Sequence, residues 1–560
     1  MSSRRSSAEI ERDIRQIFGD DFYDEALPST AAVRDESDAT SATSASSLET
    51  EVRSPTPNTS LTSEDSDEWT EDEWTAEEVE REQFPAPPEP RLNIENPENK
   101  APLDYFKVLF NIIFLKKLAG WINGHASVVQ SRPHKPQSRI KKWKDTNETE
   151  LLTFLGILFY MGTVRLNRIN HYWRKTHLAT FSLGNYMSRN RFLLILRMLY
   201  FTSEDVSRDI YLAVEPLIDY FNQLMSEIIY PSKELVIDES MVLFRGRLAI
   251  RQYIKNKRHK FGIKLYVLAD PHGLVHRLHM YKGSADTEVG GKGHVDKVVL
   301  KLLEPYLYTG HSVYMDNFYT SVGLAENLLL KKTFCTGTLQ CNRRKNPAVV
   351  TKKKLSKGGF IYRYNRKGVC VMKWKDKRDV LSISTEHSHR MTEVVRQPRS
   401  RRREAGRSVV TSKPIMVVLY NQFMKGVDRH DQMLSYYTCE HKSMRWFAKI
   451  GIYILQTMFV NAYFLYRQGT NRAISLEDFR EKVIFGLLPP KNISNPRPTF
   501  PTHMPSPLDR NDSGCIKRRN CARCTSRKKR RLSGMYCPDC NVGLCIDCYK
   551  PYHEENGLLG

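Results

Sequence analysis

Apolar positions recur at helical spacing from Pro102 onward: Leu103, Phe106, Leu109, Phe110, Ile113 and Phe114, then Leu118 and Trp121. The same period returns over Trp143 to Met161, Tyr186 to Tyr200 and Ile210 to Ile229, so residues 96–232 read as a helical domain. At Glu234 the pattern changes. Val236 to Met241, Ala249 to Tyr253, Ile263 to Ala269 and Leu274 to Tyr281 are short apolar runs that predict four strands, with Asp270-Pro271-His272-Gly273 as a hairpin turn. A helix over Val295 to Leu307 leads to a strand ending at Asp316, which suits a crossover into a parallel neighbour. Further strands are predicted at Phe360 to Tyr364, Val369 to Trp374, Val380 to Thr385 and Ile415 to Tyr420. A helix then opens at Gly426 and runs toward Tyr437, and helical spacing resumes from Arg445 to about Leu488.

Three stretches lack such periodicity. Residues 1–95 are rich in Ser, Thr, Glu, Asp and Pro, too poor in apolar mass to offset the entropy of ordering, and are expected to be a disordered acidic tail. Within that tail Trp69 and Trp74 lie among acids, a composition that could also dock onto a basic surface, including this protein's own. Arg390 to Arg407 reads as a flexible basic loop. Seven prolines between Pro489 and Pro507 mark a linker, taken as 489–514.

Charge sharpens this division. The chain of 560 residues carries a net +23, yet residues 1–100 hold 9 Lys or Arg against 26 Asp or Glu, a net of −17, which leaves +40 for the rest. A basic body of this kind implies a polyanionic partner, and the interleaved aromatic and polar residues favour nucleic acid over a membrane surface. The N-terminus lacks the apolar core of a signal peptide. Leu151 to Met161 is too short to span a bilayer; Trp446 to Tyr466 is long enough but is interrupted by Lys449, Gln456 and Asn461, so a buried helix is expected and no membrane partner.

The candidate chemistry lies in separated acids. Leu235-Val236-Ile237 delivers Asp238 at the end of a buried run, Val313-Tyr314-Met315 delivers Asp316, and Gly426-Val427 precedes Asp428, with Asp431 three residues on along a helix. Alone, an acid at a strand end is usually a turn or cap residue; three together suggest a site. The order strand, hairpin, hairpin, helix, strand is that of a ribonuclease H-like core. Carboxylates gathered there would repel unless divalent metal held them, and two Mg²⁺ about 4 Å apart suit in-line phosphoryl displacement. Asp238 and Asp316 are the candidates for bridging and flanking ligands, Asp428 completes the set, and Asp431 is a further ligand or a support. Glu239 is the alternative to Asp238, although alternation along a strand points the two to opposite faces. Asp431 has an alternative use as a cap or a partner of Arg429. His430 is not expected to bind Mg²⁺, which prefers oxygen. Arg245, Arg247 and Arg251, with Lys257 and Lys260, follow the first acid; Arg343, Arg344 and Lys345 follow the second. All are candidates to grip DNA phosphates or read guanine edges. Trp446 would either pack in its helix or stack on an extruded base.

Seven of the 11 cysteines fall between Cys515 and Cys548. Cys521 with Cys524, Cys537 with Cys540, and Cys545 with Cys548, followed by His553, have zinc-ligand spacing in a module with little core of its own. An interleaved arrangement would put the first and third pairs on one Zn²⁺ and the second pair with His553 on another. The second site then needs a fourth ligand, for which Cys515 is the candidate, or only one full site exists. Arg527 to Arg531 suits a nuclear import signal or a phosphate grip.

The runs VIDES (236–240) and FRGR (244–247), the stretch from Asn256-Lys257 to Lys260-Phe261-Gly262-Ile263-Lys264, YMDNFYTS (314–321), YNQFMKGVDRHDQM (420–433), Arg445-Trp446 and the cysteine-rich end together resemble the piggyBac transposase family, from about Pro102 to the C-terminus. The resemblance implies a DDE/D-type, metal-dependent transposase that excises through hairpin ends at terminal inverted repeats and joins into TTAA targets, in the nucleus. Its catalytic acids fall on Asp238, Asp316 and Asp428, with Asp431 a fourth, and its hairpin-handling tryptophan on Trp446. It further implies an α/β ribonuclease H-like catalytic core (233–340 and 415–437) with a β-rich insertion (341–414). A discontinuous helical dimerisation and DNA-binding domain (96–232 and 438–488) and a C-terminal cross-braced zinc module (515–560) that binds repeat DNA complete the chain. The expected partners are double-stranded DNA and a second copy of the chain. A domesticated, non-catalytic DNA-binding regulator is the rival reading.

Overall fold

The computed structural model describes residues 74–174, 182–203, 206, 209–254, 260–396, 409–439, 443, 445–489 and 503–556. They divide into two units, residues 1–488 and 489–560. In the first, the strands are β1 (Trp74–Thr75), β2 (Arg91–Leu92), β3 (Ile229–Tyr230), β4 (Glu234–Leu243), β5 (Gln252–Tyr253), β6 (Phe261–Ala269), β7 (Val275–Met280), β8 (Ser312–Met315), β9 (Phe334–Thr338), β10 (Phe360–Asn365), β11 (Cys370–Lys375), β12 (Asp379–Ser384), β13 (Met391–Arg396) and β14 (Val409–Pro414). The helices used below are α1 (Pro102–Leu109), α2 (Ile112–Gln130), α3 (Glu148–Thr163), α4 (Arg189–Met198), α5 (Glu215–Ile228), α6 (His294–Leu303), α7 (Val322–Leu330), α8 (Ile415–Phe423), α9 (Gly426–Tyr436), α10 (Trp446–Thr470) and α11 (Leu476–Leu487).

Ten strands form one sheet in the order β1-β10-β11-β12-β9-β8-β4-β6-β5, with β7 also on β6. β4, β8 and β9 are parallel, while β6 and β7 run antiparallel to their neighbours. The five strands β7-β6-β4-β8-β9 make a mixed sheet consistent with a ribonuclease H-like core. Leu235, Val236 and Ile237 are all fully buried, because helices cover both faces. Leu235 and Ile237 pack with Val299, Leu302 and Leu324 of α6 and α7. Val236 and Val242 turn the other way, into the cluster shared with α9, α10 and the helical domain.

The helical elements on either side of the core in sequence pack together, α10 on α1 and α5, and α11 on α1 and α3. Asn111, Asn147, Ser188 and Ser475 each accept from the third backbone N–H onward and so start α2, α3, α4 and α11. Helix α10 is long and apolar enough to cross a membrane, yet every residue from Trp446 to Tyr466 is buried within the protein. Its polar interruptions are used there. β7 is an edge strand whose outer backbone groups would be unpaired, and two side chains pair them. Asn461 Nδ2 donates to Val275 O (2.7 Å) and its Oδ1 accepts from Val275 N (3.1 Å). Asn222 of α5 does the same for Leu278, at 2.9 and 2.7 Å. The two amides act as a surrogate strand.

Several expectations need correction. The acidic tail is not disordered through residue 95: Trp74 and Thr75 pair with Asn365 and Tyr364 at the sheet edge, and Arg81 donates to Glu386 O (2.7 Å) and lies over the Tyr364 ring. Phe84 packs on Phe334, 4.7 Å between centroids. The few apolar residues of this stretch suffice because they join a surface already built. Residues 1–73, including Trp69, lie outside the described residues. Ile415 to Tyr420 is helical, not a strand; Met416 and Val417 bury one side of α8, and a short apolar run does not distinguish the two periods. Within Arg390 to Arg407, Met391–Arg396 is a strand paired with Val409–Pro414, and 397–408 lie outside the described residues. Of Ala249 to Tyr253 only Gln252 and Tyr253 are strand. The region 341–414 adds β10, β11 and β12 to the core sheet through β9.

Asn461→Leu keeps the volume but strands the Val275 N–H and C=O in the interior, and should cost about 2–4 kcal/mol, at roughly 1–3 per buried unpaired group. Urea denaturation of the variant measures this; an unchanged midpoint would mean that β7 does not depend on the amide.

Candidate active site and metal centres

The register places the first two acids. Ile237 lies opposite Met315 in the parallel pair β4–β8, so Asp238 and Asp316 each follow one residue beyond the last paired position. Asp238 shares its face of β4 with Val236 and Ser240, the face turned toward α9. Glu239 points to the opposite face, where the Tyr319 hydroxyl donates to its Oε2 at 3.4 Å. This separates Asp238 from its alternative. Backbone N–H groups orient both acids: Glu239 N donates to Asp238 Oδ1 (2.8 Å) and Phe318 N to Asp316 Oδ1 (2.9 Å).

The third acid arrives on α9, held from outside the site. Gly426 lies so close to the β6–β7 turn that a Cβ there would sit 2.0 Å from Asp270 O. Asp270 shapes that turn, its Oδ1 accepting from His272, Gly273 and Leu274 N. One helical turn on, buried His430 bonds Gly273 O through Nδ1 (2.9 Å) and faces Thr457 of α10. Burial pushes its imidazole down to about 4, and with Nδ1 on Gly273 O and Nε2 on Thr457 Oγ1 His430 pins α9 to the turn and to α10. Ser240 Oγ donates to Asp431 Oδ1 at 2.7 Å, which ties α9 to the strand that carries Asp238 and makes Asp431 a positioned support for the site. Asp428 is exposed on the same helical face.

Tyr420 reports the convergence. Burial above all, and then the carboxylates of Asp316, Asp238 and Asp428, push its phenol up to about 12 against the lowering effect of a hydrogen bond with Thr338. Tyr319, fully buried, is pushed well up by burial and then by Glu239, Asp238 and Asp316. Both stay protonated, so the site is acids and neutral hydroxyls. That oxygen-only donor set fits Mg²⁺. Tyr420 has no local signal because only contacts between distant segments bring it to the site, while Ser240 could have been read from its place two residues beyond Asp238 on the same face of β4.

The basic candidates divide. Arg245, Arg247, Arg344 and Lys260 are exposed, and Lys257 lies outside the described residues. Arg251 is exposed, but its Nη1 donates to the carbonyls of Arg245 and Gly246 and so shapes the turn that presents the other two. Arg343 is corrected as a phosphate grip: it is half-buried and its Nη2 donates to Phe318 O (2.5 Å) and Asn317 O (3.3 Å), bracing the loop after Asp316. Buried Lys264 sits over the Phe318 ring at 4.0 Å and braces the same loop from β6. Trp446 is packed in the helical core, edge-on to Tyr211 at 5.9 Å and only 6% exposed, so in this conformation it is a packing residue; stacking on a base would require it to leave that contact.

The second unit has almost no core besides its cysteines. Its chain brings together Cys521, Cys524, Cys545 and Cys548 at one point and His503, Cys537, Cys540 and His553 at another, the ligand atoms of each set lying within 4.8 Å of one another. Cys524 Sγ is 3.8 Å from Cys545 Sγ and 3.6 Å from Cys548 Sγ, too long for disulfides and close to the edge, about 3.8 Å, of a tetrahedron with Zn–S bonds of about 2.3 Å. His553 Nδ1 donates to Tyr549 O (2.7 Å), which leaves Nε2 for a metal. The interleaving matches the expected one. The fourth ligand does not. Cys515 is exposed and apart from both sets, and the place is filled by His503, whose Nδ1 is 3.1 Å from Cys540 Sγ. The stretch 503–514 therefore belongs to the module and not to the linker, and Ser506–Pro507 pairs with Tyr536 and Met535.

Both sets could hold Zn²⁺ and replace the missing core. His503→Ala should reduce bound zinc from two ions to one per chain, read by native mass spectrometry of the full chain, with the four-cysteine site retained. Two ions retained would remove His503 from the ligand set.

Comparison with known proteins agrees with this architecture. Residues 101–463 match the family described as Transposase IS4. The chain is similar to human PiggyBac transposable element-derived protein 3, 26% identical over 426 residues that cover 73% of this chain and 70% of that one. Human PiggyBac transposable element-derived protein 5 is 22% identical over 418 residues, 70% of this chain and 76% of that one. In backbone it resembles the transposase in a cryo-EM piggyBac synaptic complex with hairpin DNA, with a TM-score of 0.59 and 23% identity over 82% of this chain and 100% of that one. With a family match running from the first helix of the bundle through the acids to the middle of α10, the chain belongs to the piggyBac family of transposases.

Proposed function

We propose that this protein is an active cut-and-paste DNA transposase of the DDE/D type, with Asp238, Asp316 and Asp428 as its catalytic acids. The reading rests on the pair of acids leaving adjacent parallel strands at one level, with α9, which carries the third acid, tied to the strand of the first by the Ser240–Asp431 hydrogen bond. The acids would hold two Mg²⁺, which when bound supply charge neutralisation for the attacking and leaving oxygens of an in-line displacement. Ser240 and Asp431 keep α9 in register with β4, and Arg343 and Lys264 fix the loop that carries Asp316. The DNA strand would lie against Arg245, Arg247 and Arg344, whose guanidiniums are exposed.

The substrates proposed are those that the family resemblance implies. The protein would bind terminal inverted repeats, aided by the zinc module, nick to free a 3′ hydroxyl, form and open a hairpin, and join the ends to TTAA target DNA as a dimer in the nucleus. Arg527 to Arg531, exposed in the zinc module, suits either import or a phosphate grip.

A labelled transposon-end duplex incubated with Mg²⁺ tests the proposal. Hairpin and joined product are expected; neither would leave a DNA-binding regulator, and cuts without joining a plain nuclease. Asp238→Asn, Asp316→Asn and Asp428→Asn should each lower cleavage by about 10³-fold or more while end binding stays nearly constant, since Lys and Arg contacts to phosphate dominate affinity. A variant that still cuts removes its residue from the assignment. Ser240→Ala should lower the cleavage rate by about 10-fold, through loosened positioning, with end binding unchanged.

A further inference from the structure

On the reverse of α9 the chain encloses a second concave site. The β6–β7 turn, β3, α9 and the end of α10 surround a cavity of about 670 Å³, a size that takes a small ligand or a segment of a polymer. Its rim is cationic. Arg429 comes from α9, and Arg467 and Arg472 from the end of α10 and the loop beyond it; all three are exposed. Arg429 follows Asp428 by about 100° around the helix, so α9 offers carboxylates to one site and a guanidinium to the other.

Among the described residues, the lining sets a single acid against three guanidiniums. That acid is Asp270, and its Oδ1 is already taken by three backbone N–H groups. Arg429 uses Nη1 on Pro271 O at 3.2 Å, and Arg467 reaches Tyr463 Oη only at 3.5 Å. At the floor lies His276 of β7, 0% exposed, with neither ring nitrogen hydrogen-bonded. An imidazole so placed has lost its water and found no partner, a cost that a ligand supplying one would relieve. Burial pushes it down to about 3, so it is neutral and offers one N–H donor and one acceptor. A phosphate group meets the donor with one of its oxygens and presents the others to the guanidiniums on the rim.

We propose that this cleft is a second, non-catalytic anion site that takes a phosphate ester, with Arg429, Arg467 and Arg472 balancing its charge and His276 hydrogen-bonding at the floor. The ester is either a backbone phosphate of DNA or a free nucleotide or phosphate, which share the same chemistry. The site asks nothing of the acids on the other side of α9 and stands whether or not those acids cut DNA.

The test uses the full, zinc-loaded chain without Mg²⁺ and inorganic pyrophosphate as the probe in isothermal titration calorimetry. Arg467→Gln with Arg472→Gln, exposed positions that should leave the melting temperature unchanged, is expected to weaken pyrophosphate at least 10-fold. Arg245→Gln with Arg247→Gln, which alters an equal charge elsewhere, should weaken it less than 2-fold. Equal losses in the two variants, or no loss in the first, would overturn the site and leave only general attraction to a basic protein. His276→Asn should weaken binding in the same sense at unchanged melting temperature; full affinity in that variant would also overturn the proposal. A non-cognate DNA duplex added in competition then identifies the source: displacement of pyrophosphate supports a backbone phosphate, and simultaneous binding supports a free phosphate ester.

Discussion

Two carboxylates held at the same level of neighbouring strands repel each other, and the mixed-sheet core of this protein is built against that repulsion. Parallel pairing of β4 with β8 fixes where Asp238 and Asp316 emerge, and a slip of one residue would turn either to the wrong face. Full burial of Leu235 to Ile237 from both sides prevents such a slip, because every register but one would expose apolar surface. The N–H groups of Glu239 and Phe318 then aim the carboxylates. None of this attracts the acids to each other. It keeps them where a divalent cation, which does attract them, would find its ligands in place.

Asp428 is harder to place, since more than a hundred residues separate it from Asp316 in the chain. Its helix is seated by contacts that never enter the site: Gly426 against the Asp270 turn, His430 on Gly273, and α10 behind them. The helical domain therefore does more than enclose the core. Through Asn461 it closes the open edge of β7, and β7 belongs to the same hairpin on which α9 rests. A single long helix, α10, supports both ends of this chain of contacts. The strands of region 341–414 attach at the far side of β9, where they extend the sheet without disturbing the acids.

Much of this was legible in the sequence, for physical reasons that differ by element. Strands β4, β6, β7 and β8 announce themselves because burial on one or both faces forces unbroken or alternating apolar runs. The acids at their ends stand out because a charge directly after such a run is expensive unless something uses it. Helix α8 reads as a strand because six apolar residues in a row, Ile415 to Tyr420, fit either period, and what decides between them is the sheet it packs on. The edge strand at Trp74 was misread for the opposite reason: its own composition is that of a disordered chain, and its order comes from Phe334, Tyr364 and Glu386, hundreds of residues away. Arg343 looked like a DNA contact because an exposed and a bracing arginine are identical as letters.

The zinc module marks the limit of spacing rules most clearly. Cysteines separated by two residues can meet on one ion, so three pairs and an interleaved arrangement could be read from their spacing. A lone ligand obeys no such rule, and His503, 34 residues before Cys537 and surrounded by prolines, carries no local mark of its role. The signal that was present was an unfilled coordination place: three donors at the second site required a fourth. Cys515 was the nearest thiol in sequence, but sequence distance is a poor measure in a module whose core is largely the candidate ligands themselves. Here those side chains define the fold, the chain between them follows, and a residue in an apparent linker becomes structural because its imidazole completes a set of four.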